Sequence, residues 1–220
     1  MRRKRIVVLG AGGQARELAW YLDDLNRAGA GFELLGFVVR DRHNLAPTDS
    51  PDRVVGDHQW LRENHRGIDA VALGIGTPAL RLRIADEVAT EFPTLEWPPI
   101  IHPSAQVDRG SATIGPGTLV APNVVVTVNV HLGAFCMLNF CCTVGHEARI
   151  GRGSVVNPGA NISGGVSLGE GVLVGSGAVV LQYRSVGDGA SVGAGAVVTK
   201  SVPPGATVVG VPARPSVRER

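Results

Sequence analysis

"IGRGSVVNPGANISGGVSLGEGVLVGSGAVV", residues 150–180, repeats itself every six positions, and that period decides the fold. Stepping by six from Ile114 to Val198 meets fifteen residues, all Ile, Val or Leu; one position further along each hexad, only Leu181 is aliphatic. The fourth place of the hexad is Gly or Asn ten times in fifteen, and these residues take a left-handed backbone most readily, so a tight corner recurs every six residues. The fifth place is Ala, Ser, Thr, Cys or Val in every hexad except the one holding Arg184. One aliphatic and one small side chain per hexad therefore point inward. Three such sides close a triangular coil of eighteen residues. At about 4.8 Å per coil, five coils from Ile114 build a prism roughly 24 Å long, with backbone hydrogen bonds running between coils.

Residues 1–100 follow another grammar. Ile6–Leu9 reads as a short buried strand, and Gln14–Asn26 carries Leu18, Tyr21, Leu22 and Leu25 at helical spacing. Leu34–Val39 reads as a strand, Asp57–Asn64 as a short helix and Ala70–Ile75 as a third strand. Pro78 suits the first turn of a further helix, with Thr77 as its candidate cap. The alternation predicts a small parallel sheet with helices packed on it. The Pro-rich "PTLEWPPIIHPSA", residues 93–105, separates an α/β domain over 1–100 from the repeat domain over 101–220.

Bulk properties remove several classes. Net charge is only +2 and the basic residues are dispersed, without the positive stripe of a nucleic-acid binder; the clusters Arg2–Arg5 and Arg214–Arg220 read as solvated ends. The apolar stretch Ile6–Leu9 is too short for an export signal, and no apolar run reaches membrane-spanning length, so no membrane role is expected and the cytoplasm is the expected location. Cys136, Cys141 and Cys142 lack paired metal-ligand spacing and are odd in number, so they are expected reduced, with Cys136 and Cys142 in the inward place. His131 and His146, the only histidines within the repeats, occupy different hexad places, and no metal is expected.

The corner rule fails in composition at Phe135, Cys141, Glu147, Tyr183 and Ser201, three of them consecutive. Local rules broken together suggest a functional place. His146 stands there, in the outward third place of "VGHEARIG", residues 144–151. An imidazole titrates near neutrality and can take a proton from an attacking amine or hydroxyl; a neighbouring carboxylate, Glu147, can hold its tautomer. Asn139, seven residues earlier in a place usually filled by glycine, is a second candidate to orient the ring. Gly164 falls eighteen residues after His146, directly beneath it, where a bare N–H can meet an oxyanion. Near the start, "GAGGQAR", residues 10–16, follows a strand and opens a helix, so its amides can receive phosphate. Arg40 and Asp41 at the next strand end do not favour NAD, while "GIGTPALR", residues 74–81, supplies a second glycine-rich strand end with Arg81 nearby.

The hexads resemble the left-handed parallel β-helix of the hexapeptide-repeat acyltransferases, and "VTKSVPPGATVVGVPAR", residues 198–214, resembles their C-terminal signature. With "VVLGAGGQAREL" at 7–18 and "GHE" at 145–147, the chain resembles the sugar O- and N-acyltransferase family, which includes sialic-acid O-acetyltransferases and N-acetyltransferases of nucleotide-linked amino sugars. The resemblance implies a Rossmann-like N-terminal domain, acetyl-CoA as donor, and His146 as general base assisted by Glu147 and Asn139. It further implies donor contacts at Gly164, Ser176 and Ala194, and an acceptor held by Gly10, Gly12, Gly13, Gln14, Arg40 and Gly76. Many members carry a second histidine in a "HISPGA"-like stretch, where this chain has Val155 in "VVNPGA", and a histidine after the glycine turn, where it has Gln14. A homotrimer is implied, with the donor between adjacent helices. The leading expectation is acetylation of the amino group of a nucleotide-linked sugar; the alternatives are O-acetylation of a free sugar such as sialic acid, and a non-catalytic sugar-nucleotide scaffold.

Overall fold

A computed structural model describes residues 2–43 and 45–216; the end of the C-terminal arginine cluster, 217–220, lies outside the described residues. The N-terminal unit is a parallel sheet of β1 (Lys4–Leu9), β2 (Phe32–Val39), β3 (Val54–Asp57) and β4 (Ala70–Leu73), in the order β3-β2-β1-β4. Three helices pack on it: α1 (Gly13–Arg27), α2 (His58–Asn64) and α3 (Pro78–Glu91). Side chains alternate along a strand, and β1 uses both faces. Ile6 and Val8 share a core with Leu18, Tyr21 and Leu22 of α1, while Val7 and Leu9 share another with Leu61, Ala85, Val88 and Phe92 on the opposite side.

Several boundaries move. β2 begins at Phe32, before the expected Leu34, and the third expected strand stops at Leu73, so that Gly74–Gly76 form a loop at its carboxyl end. Asp57 is the cap of α2 and not its first residue, its Oδ1 accepting from Trp60 N at 3.0 Å. Thr77 makes no side-chain cap; Pro78 at the first position starts α3 without one. The short β3 was not foreseen, because "VVGD" follows a proline turn and shows no alternation.

From Ile100 the chain winds as a left-handed parallel β-helix with three faces of eight, six and five strands. The six-stranded second face marks six coils, one more than the period from Ile114 foretold. Ile100 pairs with Leu119 and Gln106 with Val125, nineteen positions on, whereas Thr113 pairs with His131, eighteen on. One extra residue between Val107 and Thr113 thus throws the first coil out of phase with the rest. After the last coil, Thr207–Val209 adds to the first face and pairs antiparallel with Arg214–Pro215.

The interior is as the hexads require. Val120, Leu132, Leu138, Val144 and Ile150 are fully buried, and Cys136 and Cys142 fill the small place beside them, where burial pushes both thiols up to about 12. The corners hold a surprise. Asn123, Asn129, Phe135, Cys141, Glu147 and Tyr183 all keep the left-handed backbone, with φ between 56° and 61°, like the glycines at the same place. Only Ser201 leaves the rule. Forcing a residue other than Gly or Asn into that region costs roughly 1–2 kcal/mol, so four corners are held against their own preference.

Three edges separate the faces. The first runs through 121–124, 139–142, 157–160, 175–178 and 193–196; the second through 127–130, 145–148, 163–166 and 181–184; the third through 115–118, 133–136, 151–154 and 169–172. The N-terminal unit covers the first face, the third edge and, where Phe140 meets Trp20 and Tyr21, the start of the first edge. Val155, fully buried, belongs to the core that contains Tyr21 and Leu22 of α1, so the place of the family's second histidine is apolar packing here. On the third edge Phe135 is only 7% exposed and meets Trp97 edge-on at 5.1 Å. Burying such a ring yields about 3 kcal/mol, enough to outweigh the cost of its backbone.

Arg81 fastens the two units. It is fully buried, and its Nε donates to Phe135 O at 2.6 Å while Nη1 donates to Ile75 O at 2.8 Å and Leu73 O at 3.1 Å. Gly117 O and Cys136 O lie at 3.4 and 3.5 Å from Nη2. Burial lowers the guanidinium pKa to about 10, so it remains a cation at neutral pH, compensated by carbonyl dipoles. The arginine beside the second glycine-rich strand end is therefore a clasp and does not face a ligand.

Candidate active site

The second edge is bare. His146 projects from it with 52% of its side chain exposed, and its Nδ1 lies 3.3 Å from Glu147 Oε2. The corner sets both groups in place: Gly165 N donates to His146 O at 2.8 Å, and Glu147 N donates to Val128 O at 3.1 Å. Gly164 lies beneath His146, as the eighteen-residue coil requires. A Cβ built on Gly164 would sit 2.4 Å from His146 Nε2. The imidazole therefore rests on the glycine backbone. Gly164 is buried under the ring and gives the imidazole a floor in the single chain.

Chemically, this is a ring with one nitrogen beside a carboxylate and the other lying over a glycine. The carboxylate favours a proton on Nδ1, which leaves Nε2 free to accept one.

Asn139, Ser176 and Ala194 stand elsewhere. Asn139, seven residues before His146, and Ser176 and Ala194, thirty and forty-eight after it, all fall on the first edge of an eighteen-residue coil. Asn139 is buried, and its Oδ1 accepts from Phe140 N at 3.1 Å; it makes no contact with His146 in the same chain, contrary to a role in orienting that ring within one subunit. Ser176 and Ala194 are exposed and stacked one coil apart, with Gly195 N donating to Ser176 O at 2.8 Å.

A groove of about 980 Å³ opens at the carboxyl ends of the parallel strands, where ligands of open α/β sheets bind. Gly10, Gly12, Arg40 and Gly76 line it, four of the six residues expected to hold the acceptor. Gly12 caps α1 without a side-chain hydrogen bond, which leaves first-turn amides available to an anion. Gly10 has φ 110°, and a Cβ there would press to 2.9 Å from Gly74 O, so the turn demands glycine. Gly13 and Gln14 do not line the groove. Gln14 turns away, its Nε2 buried without a hydrogen-bond partner, because the first turn of α1 faces the core at that position.

Sequence reasoning missed the groove's far wall. His58 and Arg62 of α2 and Arg83, Glu87 and Glu91 of α3 line it. His58 Nε2 meets Glu91 Oε2 at 2.7 Å, and Arg62 pairs with the other oxygen. Hydrogen bonds from Arg62 and then His58 hold the Glu91 carboxyl at about 2. The legible signal was a run of charged residues on helix faces flanking the strand ends.

Among the described residues no three His, Cys, Asp or Glu side chains gather as a metal site, and no helix is long and apolar enough to cross a membrane.

Residues 147–182 match the family model described as bacterial transferase hexapeptide (six repeats). No curated protein matches by sequence. Among solved structures, the acetyltransferase domain of PglB from Neisseria gonorrhoeae FA1090 is 30% identical, with a TM-score of 0.84 over 97% of this chain and 100% of that one. The same domain in complex with acetyl coenzyme A gives 29% identity and a TM-score of 0.85 over the same shares. PerB from Caulobacter crescentus, in complex with CoA and GDP-perosamine, is 28% identical, with a TM-score of 0.84 over 96% of this chain and 97% of that one.

Proposed function

The chain belongs to the hexapeptide-repeat sugar acyltransferases, and on that footing we propose that it transfers an acetyl group from acetyl-CoA to the amino group of a nucleotide-linked amino sugar. The carrying observation is the half-exposed imidazole of His146, beside Glu147 and seated on Gly164, on the uncovered edge. The acceptor amine attacks the thioester carbonyl carbon while His146 Nε2 takes the amine's proton. The resulting oxyanion collapses, the carbon–sulfur bond breaks, and the proton passes to the leaving thiolate. The products are the N-acetyl sugar and free CoA. Glu147 favours the imidazolium formed on the way.

The groove suits a nucleoside diphosphate. Glycine-turn amides at the start of α1 and the cations Arg40, Arg62 and Arg83 can share the negative charge of a diphosphate, and the volume admits a nucleotide sugar. PerB, which binds GDP-perosamine, supports an amino-sugar acceptor. The cytoplasm is the proposed location.

Three patches lie apart in one chain: the groove, the second edge with His146, and the first edge with Asn139, Ser176 and Ala194. A closed homotrimer that sets the second edge of one helix against the first edge of the next would join them, the third edge being already covered by α3. Ser176 and Ala194, both exposed, would then face the donor from the neighbouring helix, with Asn139 two coils before Ser176 on the same edge. Light scattering of active protein should give a trimer; an active monomer would refute the shared site.

Acetyl-CoA consumption with a panel of nucleotide-linked amino sugars and with sialic acid, read by the mass of the product, tests the activity. Amide formation on a nucleotide sugar is expected. Product on sialic-acid hydroxyls alone would replace this reading with O-acetylation, and no consumption would favour a binding scaffold.

A further inference from the structure

Tyr183 occupies the corner place of its hexad with φ 56°, where its neighbours along the edge include Glu147 and Gly165. The other aromatic in such a corner, Phe135, is buried against Trp97, and Glu147 is next to the imidazole. Tyr183 is 69% exposed, and its side chain makes no hydrogen bond or ring contact among the described residues. The fold gains nothing visible from it.

Its geometry points to the site. A Cβ built on Gly165 would meet Tyr183 Cδ1 at 2.3 Å and Cε1 at 2.4 Å, just as one on Gly164 would meet His146 Nε2. Tyr183 N also donates to Gly164 O at 3.1 Å. Two adjacent glycines thus form one floor, with the imidazole lying on it from the coil above and the phenol ring from the coil below. His146 and Tyr183 belong to coils two apart, about 9.6 Å of rise, and both rings lean onto the coil between them.

Resting on the acyltransferase reading, we propose that Tyr183 is a donor-binding residue: its ring and that of His146 wall a slot over Gly164–Gly165 that holds the thioester end of acetyl-CoA. A thioester and its mercaptoethylamine arm are largely apolar, and sulfur packs well against an aromatic ring. Ser176, an expected donor contact, belongs to the same coil as Tyr183 on the first edge, and so would face it from the neighbouring helix of a trimer.

Tyr183→Gly is the informative variant, because it removes the ring and installs the residue most common at this corner. Its melting temperature should match or exceed the parent's, its mass by light scattering should be unchanged, and KM for acetyl-CoA should rise about tenfold or more with a smaller change in kcat. Tyr183→Phe should recover most of that loss. An unchanged KM in folded Tyr183→Gly would overturn the inference and leave the acyltransferase reading intact. So would a fall in mass with KM restored at high protein concentration, which would make Tyr183 an interface residue. A parent protein that neither binds nor consumes acetyl-CoA would overturn reading and inference together.

Discussion

Phe135 and Tyr183 are both aromatic, stand at the same place of the hexad and hold the same left-handed backbone, with φ 59° and 56°. Their surroundings differ completely. On the third edge Phe135 is sealed under Trp97 and crossed by Arg152 at 5.2 Å, so the unfavourable backbone is offset by burial. On the second edge Tyr183 and Glu147 bear the same cost in solvent, of roughly 1–2 kcal/mol each. One edge spends its irregular residues on joining two units; the other keeps them open beside an imidazole. A rigid repeat can support both, because the interior positions never change.

If that contrast holds, the largest stability effect belongs to the covered edge. Replacing Arg81 by Met leaves the carbonyls of Phe135, Leu73 and Ile75 without their donor and should cost about 3 kcal/mol or more, read by urea unfolding. A variant as stable as the parent would mean that the clasp is dispensable. Gly164→Ala moves the comparison to the bare edge. Gly164 is absent from the left-handed region, so the backbone tolerates alanine, but the methyl group would dislodge the His146 ring. Activity should fall roughly tenfold or more with little change in melting temperature; retained activity would show that the ring needs no floor.

Smaller effects lie outside both edges. The Glu91 carboxyl sits at about 2, below its ordinary 4.5, so its contribution to folding is complete above pH 4.5 and is lost as pH falls towards 2. Stability of the parent should decline over that window more steeply than that of Glu91→Gln, by on the order of 1 kcal/mol or less because the ions are partly exposed. Equal pH profiles would deny the Arg62–Glu91–His58 network any role. Thiol labelling perturbs least: the buried thiols of Cys136 and Cys142 should react only when the protein is unfolded. Fast reaction of Cys136 or Cys142 would show that the interior opens readily.

The repeat was legible because one aliphatic position recurs without exception from Ile114. The first coil was not, since a single extra residue before Thr113 shifts the phase while leaving the strand pairing intact. Composition also misled at the corners: Phe135, Cys141, Glu147 and Tyr183 read as places where the rule fails, yet neighbouring coils impose the conformation regardless of residue type. His146, Glu147 and Gly164 could be stacked from spacing alone. Asn139 could not be joined to them, because a seven-residue step carries a side chain to the next edge. Nothing in "TPALRLRI" announced that Arg81 turns inward, for an arginine on an amphipathic helix ordinarily faces water.

The claim on which the enzymatic account rests is that the His146 imidazole accepts the proton of the attacking amine. The rate of acetyl transfer by His146→Ala, measured with melting temperature as a control, tests it most directly. A fall of at least about a hundredfold with an unchanged melting temperature is expected. Turnover close to the parent's would contradict it and move the base to another residue.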